Sequence, residues 1–445
     1  ARVPHRYARS LRNVPRAVAG FVSWLERAPV PHFWGYRREP SLLLWSWMFW
    51  GCGVGLWAYL WPVFLNSLGA SSVEVGLVVA LGSVVATLCY LPGGFVAQIG
   101  HLKWQMAMGH LLPIAAIASF AFAGQWWHVL PGVIASSSVG LVAPAVNALM
   151  ARIADDESIP TARYFMLLSV TLYAGMIVTP PLGGWIGERF GMHAVFPLVS
   201  AAYAASVLLM WMVKSTGVSG GTGGAQEAGE ARRGALAAGG SAYAELVKDG
   251  RIRLFLSVAF LLHGGAHLGL PFVPLYLEEV HGWDRTGIGW VASATGLGTV
   301  ALLLTMERFR RRYGAVPATW LATGCTGAHF ACTVFSGAAP VQALGFFCRG
   351  GFQTMATLTT VGLTEMVSRA RLAPAIALLA TVAGAAAIAA PPLGGWLYAR
   401  WATLPFLVGM AVLAVSAPLI ARALRPAAGA EQPAPARAAA AGAAE

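Results

Sequence analysis

The chain writes TPPLGGWIG at Thr179–Gly187 and APPLGGWLY at Ala390–Tyr398, 211 positions further on. A second pair recurs in the same order: PVFLNSLGASSVEVG (Pro62–Gly76) and PLYLEEVHGWDRTGIG (Pro274–Gly289), with one inserted residue. One half of the chain therefore repeats the other. Within the doubled phrase, Pro180 and Pro181, like Pro391 and Pro392, each lack an amide donor and disfavour straight helix. Gly183 and Gly184, like Gly394 and Gly395, let another backbone approach closely. The phrase predicts a kinked, tightly packed seam on which one half rocks against the other. Packing alone is the competing reading, because Gly and Pro are common in membrane helices.

Composition supplies the solvent. Of 445 residues, 57% are hydrophobic and 11% charged, against about 25% charged in soluble domains; the mean hydropathy is +0.64. A membrane span takes about 20 predominantly apolar residues. Twelve stretches qualify: 42–66, 74–98, 105–124, 129–151, 164–187, 193–213, 252–277, 286–306, 317–336, 341–364, 372–397 and 402–424. The expected fold is an all-α polytopic membrane protein with twelve transmembrane helices in two six-helix pseudo-symmetric halves, 42–213 and 251–424. The rest divides into a basic N-terminal arm (1–41), a Gly/Ala-rich linker (214–250) and a disordered tail (425–445). In the arm, Val14, Val18, Phe21, Val22 and Leu25 fall at helical spacing after Asn13, a pattern that predicts an interfacial helix. Of 30 Lys and Arg, 26 lie before the first span, in even-numbered loops or in the tail. Only Arg189, Arg285 and Arg400 lie in odd-numbered loops, and Arg349 lies inside a span. That asymmetry puts both termini in the cytoplasm. The five cysteines sit in apolar runs without metal or redox spacing and read as small core residues.

A parallel repeat of two six-span halves is the sequence trace of transporters whose halves are related by an axis along the membrane normal. On span count, central linker and repeat, residues 42–424 resemble the major facilitator superfamily (MFS). Gly175-x-x-x-Thr179-Pro180-x-x-Gly183-Gly184 is similar to the antiporter motif of its drug exporters, with Thr179 where Gly is usual. The loop GGFVAQIGHLKW after span 2 is similar to the family's gating motif. It includes Gly94, keeps one positive charge at Lys103, and has Gln98 in place of an Asp and Ile99 in place of a basic residue. The family's span-4 arginine has no counterpart; Ser136 stands there. The resemblance implies alternating access around a cavity lined by spans 1, 4, 7 and 10.

Polar groups at mid-membrane are costly and so mark function. None of the 18 acids falls mid-span. Arg349 sits about nine residues into span 10, roughly 13 Å deep, with Gln353 one turn on and on the same face. His263 and His267 share a face of span 7 at comparable depth. The resemblance sets Arg349 and these histidines across one cavity. Arg349 suits an anionic substrate group or anchors to backbone carbonyls at a helix break. The histidines relay protons or pack with hydrogen bonds; a metal reading lacks a third ligand. Asn147 in span 4 lines the inner cavity or caps the Gly140–Pro144 irregularity. His110 and His329 read as packing residues, and Trp57 and Tyr59 point to different sides of span 1.

GGTGG in the linker lacks the Lys-Ser/Thr ending of a phosphate loop, which excludes an ATP-driven pump within this chain. The residues imply no enzyme, cofactor, metal or nucleic-acid partner. They imply a monomeric multi-pass protein of a bacterial inner (plasma) membrane that exports drug-like or metabolite solutes, with protons as the candidate coupling ion. An organic-anion exchanger or uptake carrier centred on Arg349 is the alternative, and a non-transporting scaffold or sensor on the same fold is the third.

Overall fold

The computed structural model describes residues 31–33, 35–98, 102–213, 245–368 and 371–424. At 90–98, 102–109, 143–145, 147, 148, 151, 152, 161, 162 and 373 it describes backbone alone. The predicted arm helix, most of the linker and the tail lie outside the described residues. Among those described there is no strand. Helix is the form in which an apolar segment satisfies its own amides without water.

Each of the twelve expected stretches is a helix or a broken helix. In the first half these are α1 (Arg38–Trp57) with α2 (Trp61–Ser67), α3 (Ser72–Gln98), α4 (Leu102–Phe120), α5 (Leu130–Ser137) with α6 (Ala143–Asp156), α7 (Thr161–Val178) with α8 (Pro180–Arg189), and α9 (Val195–Trp211). In the second half they are α10 (Gly250–Gly269) with α11 (Val273–Glu279), α12 (Arg285–Tyr313), α13 (Ala315–Phe335), α14 (Ala339–Met366), α15 (Leu372–Arg400) and α16 (Leu404–Leu424). Among the described residues, seven helices are long and apolar enough to cross a membrane, and eight if α1 and α2, bent by 41°, count as one.

Breaks follow proline. Pro62, Pro180 and Pro274 stand in the first turn of α2, α8 and α11, where a missing amide costs nothing. The doubled phrase behaves differently in its two copies. In the first half it opens a new helix after a break at Thr179. In the second, Pro391 and Pro392 lie inside the continuous α15, so the expected interruption is confined to the first copy.

The cores repeat as the sequence does. Phe64 and Phe120 pack on Phe196 with ring centroids 4.8 and 5.5 Å away. Tyr276 and Phe330 pack on Phe406 at 5.1 and 5.8 Å. A histidine closes each cluster: His193 Nε2 lies 2.8 Å from the Ala123 carbonyl, and His281 Nε2 lies 2.8 Å from that of Thr333. Matching caps start the helices that follow the repeated loops. Ser71 and Glu74 satisfy each other's amides ahead of α3, a reciprocal box, and Asp284 accepts from the Gly287 amide ahead of α12.

Candidate functional site

The doubled phrase is where the halves meet. A Cβ on Gly184 would lie 2.9 Å from the Arg285 carbonyl carbon and 3.0 Å from Thr286 Cα. One on Gly289 would lie equally close to Pro180 and Pro181. The mirror contact is the same: Gly395 abuts Ser72 and Val73, and Gly76 abuts Pro391 and Pro392. Thus α8 crosses α12, and α15 crosses α3, each with backbone against backbone. The other glycine of each pair faces its own half: Gly183 meets Leu56 of α1, and Gly394 meets Leu268 of α10. Gly175 also packs inside its half, against Met48 and Cys52 of α1. Thr179, at the place where the antiporter motif has Gly, donates its hydroxyl to the Cys52 carbonyl at 2.8 Å, so the hydroxyl ties the break in α7–α8 to α1.

Polar contacts across the halves close the same end. The Arg285 amide donates to Glu188 at 3.0 Å, and its guanidinium donates to the Gly187 carbonyl at 3.3 Å. Asn66 donates to Glu279 at 3.1 Å, and Glu279 also accepts from Tyr398 at 2.8 Å.

Deeper in the bundle, Arg349 on α14 stacks its guanidinium over the Tyr59 ring, 5.3 Å from the centroid. One long bond, 3.4 Å, runs to the Leu270 carbonyl, at the 3₁₀ turn Leu270–Phe272 between α10 and α11. The anchor at a helix break is thus present, but it engages one of five guanidinium donors. No carboxylate among the described residues forms an ion pair with Arg349. His267 lies near it, and His263 and His267 both set their rings edge-on against Phe352, at 5.8 and 5.3 Å. His329, read from sequence as packing, is fully buried where α13 packs against α14, the helix that carries Arg349.

Arg349 keeps some accessible surface, and Gln353 is exposed one turn on. The stripe continues through Thr357, Thr360 and Thr364. This face of α14 thus carries accessible polar side chains, with each threonine hydroxyl bonding back to a carbonyl of its own helix. Sequence reasoning missed these threonines and the pairing of Tyr59 with Arg349. The 3- and 4-residue spacing from Arg349 is the signal that identifies the threonines; nothing in the sequence places Tyr59, in the turn between α1 and α2, against α14. Gly94 and Gln98 on α3, Lys103 on α4 and Asn147 on α6 fall in described helices, but their side chains lie outside the described residues. Among the described residues no three His, Cys, Asp or Glu gather as a metal site.

The fold and the two-fold seam define a class, that of membrane carriers built from two pseudo-symmetric halves. The family model of the Major Facilitator Superfamily matches residues 43–284 and again 255–445. The chain belongs to that superfamily. It is 29% identical over 174 residues to the quinolone resistance protein NorA of Staphylococcus aureus, a stretch covering 38% of this chain and 44% of that protein. It is 28% identical over 170 residues to the multi-drug resistance efflux pump PmrA of Streptococcus pneumoniae, covering 37% and 42%. The chain thus spans less than half the length of each of these relatives. Among solved structures it is similar to the nucleoside transporter NupG (TM-score 0.66, 15% identity, 87% of this chain and 98% of that one). It is also similar to a peptide transporter POT in complex with sulfate (TM-score 0.67, 13% identity, 91% and 97%). These two likenesses concern the fold.

Proposed function

We propose that this transporter exports small organic solutes, drug-like or metabolite, by alternating access, and that Arg349 receives an anionic or carbonyl end of the solute. The observation that carries the reading is an arginine deep in the bundle with an aromatic face on one side, one long backbone bond and no carboxylate partner among the described residues. Unspent guanidinium donors bind carboxylate or phosphate oxygens strongly. The efflux relatives support export. The site's basic character favours a second reading, exchange or uptake of an organic anion through the same residue. In either case the chain works as a monomer in the bacterial inner (plasma) membrane with both termini cytoplasmic. Its seam then lies at the outer end, and the structure corresponds to an outward-closed state. Protons, if coupled, pass through His267 and His263.

The test is flux in liposomes with a panel of anionic, cationic and neutral solutes, with and without a pH gradient, for the native protein and Arg349→Gln. Anion flux that disappears in Arg349→Gln supports the assignment. Cation or neutral flux indifferent to that substitution removes Arg349 from the path, and no flux of any solute leaves the scaffold reading.

A further inference from the structure

Arg349 touches two places that the internal repeat makes equivalent. The break between α1 and α2, residues 58–60, stands in the same register before Pro62 as Leu270–Phe272 stands before Pro274. Each break ends in the same backbone conformation: φ −96° and ψ 0° at Leu60, φ −97° and ψ −6° at Phe272. The guanidinium lies over the Tyr59 ring in the first break and donates to the Leu270 carbonyl in the second. The short helices that leave these breaks, α2 and α11, belong to different halves, run to the seam end and pack on one another. Asn66 and Glu279 join them there. The two contacts of Arg349 therefore differ in kind. Leu270 is in the same half as Arg349, whereas the buried Tyr59 is in the other. Parting of the halves leaves the first contact and removes the second.

We infer that Tyr59 is a positioning residue that couples the solute site to the seam: on the reading of Arg349 as receptor of an anionic solute group, the ring holds the guanidinium in place only while the seam is closed, so closure and anion binding strengthen each other. A single long bond leaves the guanidinium plane free to turn. A ring beneath it fixes the plane and leaves the edge donors free for a carboxylate. Preorganisation of this kind raises affinity. Reciprocity then requires the anion to favour the closed seam by the factor that the ring adds to its affinity. Opening withdraws the ring, weakens the site and releases the solute on the seam side, which is the direction that export requires.

Spin labels at the exposed Phe190 and Val280, one in each half, read the closed and open populations of the protein in nanodiscs. Without solute, Tyr59→Leu should lower the closed-to-open ratio about 2- to 30-fold, the worth of a cation–π contact. Arg349→Gln should do the same from the other partner, the double variant should go no further than either single one, and Tyr59→Phe should keep the native ratio. Saturating benzoate should raise the ratio in the native protein and in Tyr59→Phe but not in Tyr59→Leu. The rise should equal the factor that separates the benzoate Kd values of the native protein and Tyr59→Leu in calorimetry. An unchanged solute-free ratio in both single variants, additive effects in the double variant, or benzoate that binds through Arg349 without moving the native ratio overturns the inference. Benzoate binding that is absent, or indifferent to Arg349→Gln, counts instead against Arg349 as the anion's receptor, and the solute-free ratios then decide alone whether the ring holds the seam.

Discussion

The sharpest prediction concerns Gly184. Its substitution by Ala places a methyl group 2.9 Å from the Arg285 carbonyl carbon, where ordinary contact begins at 3.4 Å. The carbonyl oxygen is closer still, and both partners are helix backbone, so α8 and α12 must part by at least about 0.5 Å. Overpacking of this kind costs about 1–3 kcal/mol. The crossing exists only while the halves are closed at this end, so the cost falls on the closed state and shifts the equilibrium between states about 5- to 150-fold. Spin labels on the exposed Phe190 and Val280, which belong to different halves, report the change as a longer distance population in pulsed electron resonance. Gly324→Ala is the control, because a Cβ there meets nothing within 4 Å. If Gly184→Ala leaves the distance distribution indistinguishable from that of Gly324→Ala, the seam is not the closing contact and the reasoning fails.

Gly395→Ala, in the mirror contact with Ser72, should open the same end to a similar extent, as judged by labels at Ser67 and Ala399. Thr179→Val leaves the Cys52 carbonyl without its 2.8 Å donor and should cost about 1–2 kcal/mol, read as a lower midpoint in thermal unfolding of the detergent-solubilised protein. Tyr59→Leu removes the ring beneath Arg349 and should weaken anion binding about 2- to 30-fold, on a cation–π worth of roughly 0.5–2 kcal/mol, while Tyr59→Phe keeps most of the affinity; concentration-dependent flux separates the two. Glu365→Gln breaks an exposed bridge to Arg310 and should change stability by less than about 1 kcal/mol, which the same unfolding assay measures.

The seam was legible because a close backbone crossing admits only glycine, and two such crossings leave the same phrase twice. The phrase does not say which glycine of each pair turns outward. That depends on the rotation of α8 and α15, which is set by every other contact along them. Arg349 stood out because a charge in an apolar run is rare. Its neighbours did not: Tyr59 is one aromatic among many, and the Leu270 carbonyl is backbone that any residue supplies. His329 was read as packing; its place beside the Arg349 helix comes from α13 lying against α14, which no local pattern states. The span-1 bend at Trp57–Trp61 was missed because Pro62 lies within a run apolar enough for one continuous helix.

The two crossings are mutually inverse: what α8 offers α12, α15 offers α3. An interface that is its own reciprocal under a two-fold is what joins two copies of one subunit in a symmetric dimer. The two halves of this chain therefore relate to each other as subunits do. Expressed as two separate polypeptides, they should find the same register without being covalently joined. A single weakened crossing should leave the other as a pivot, so that the bundle opens on one side first.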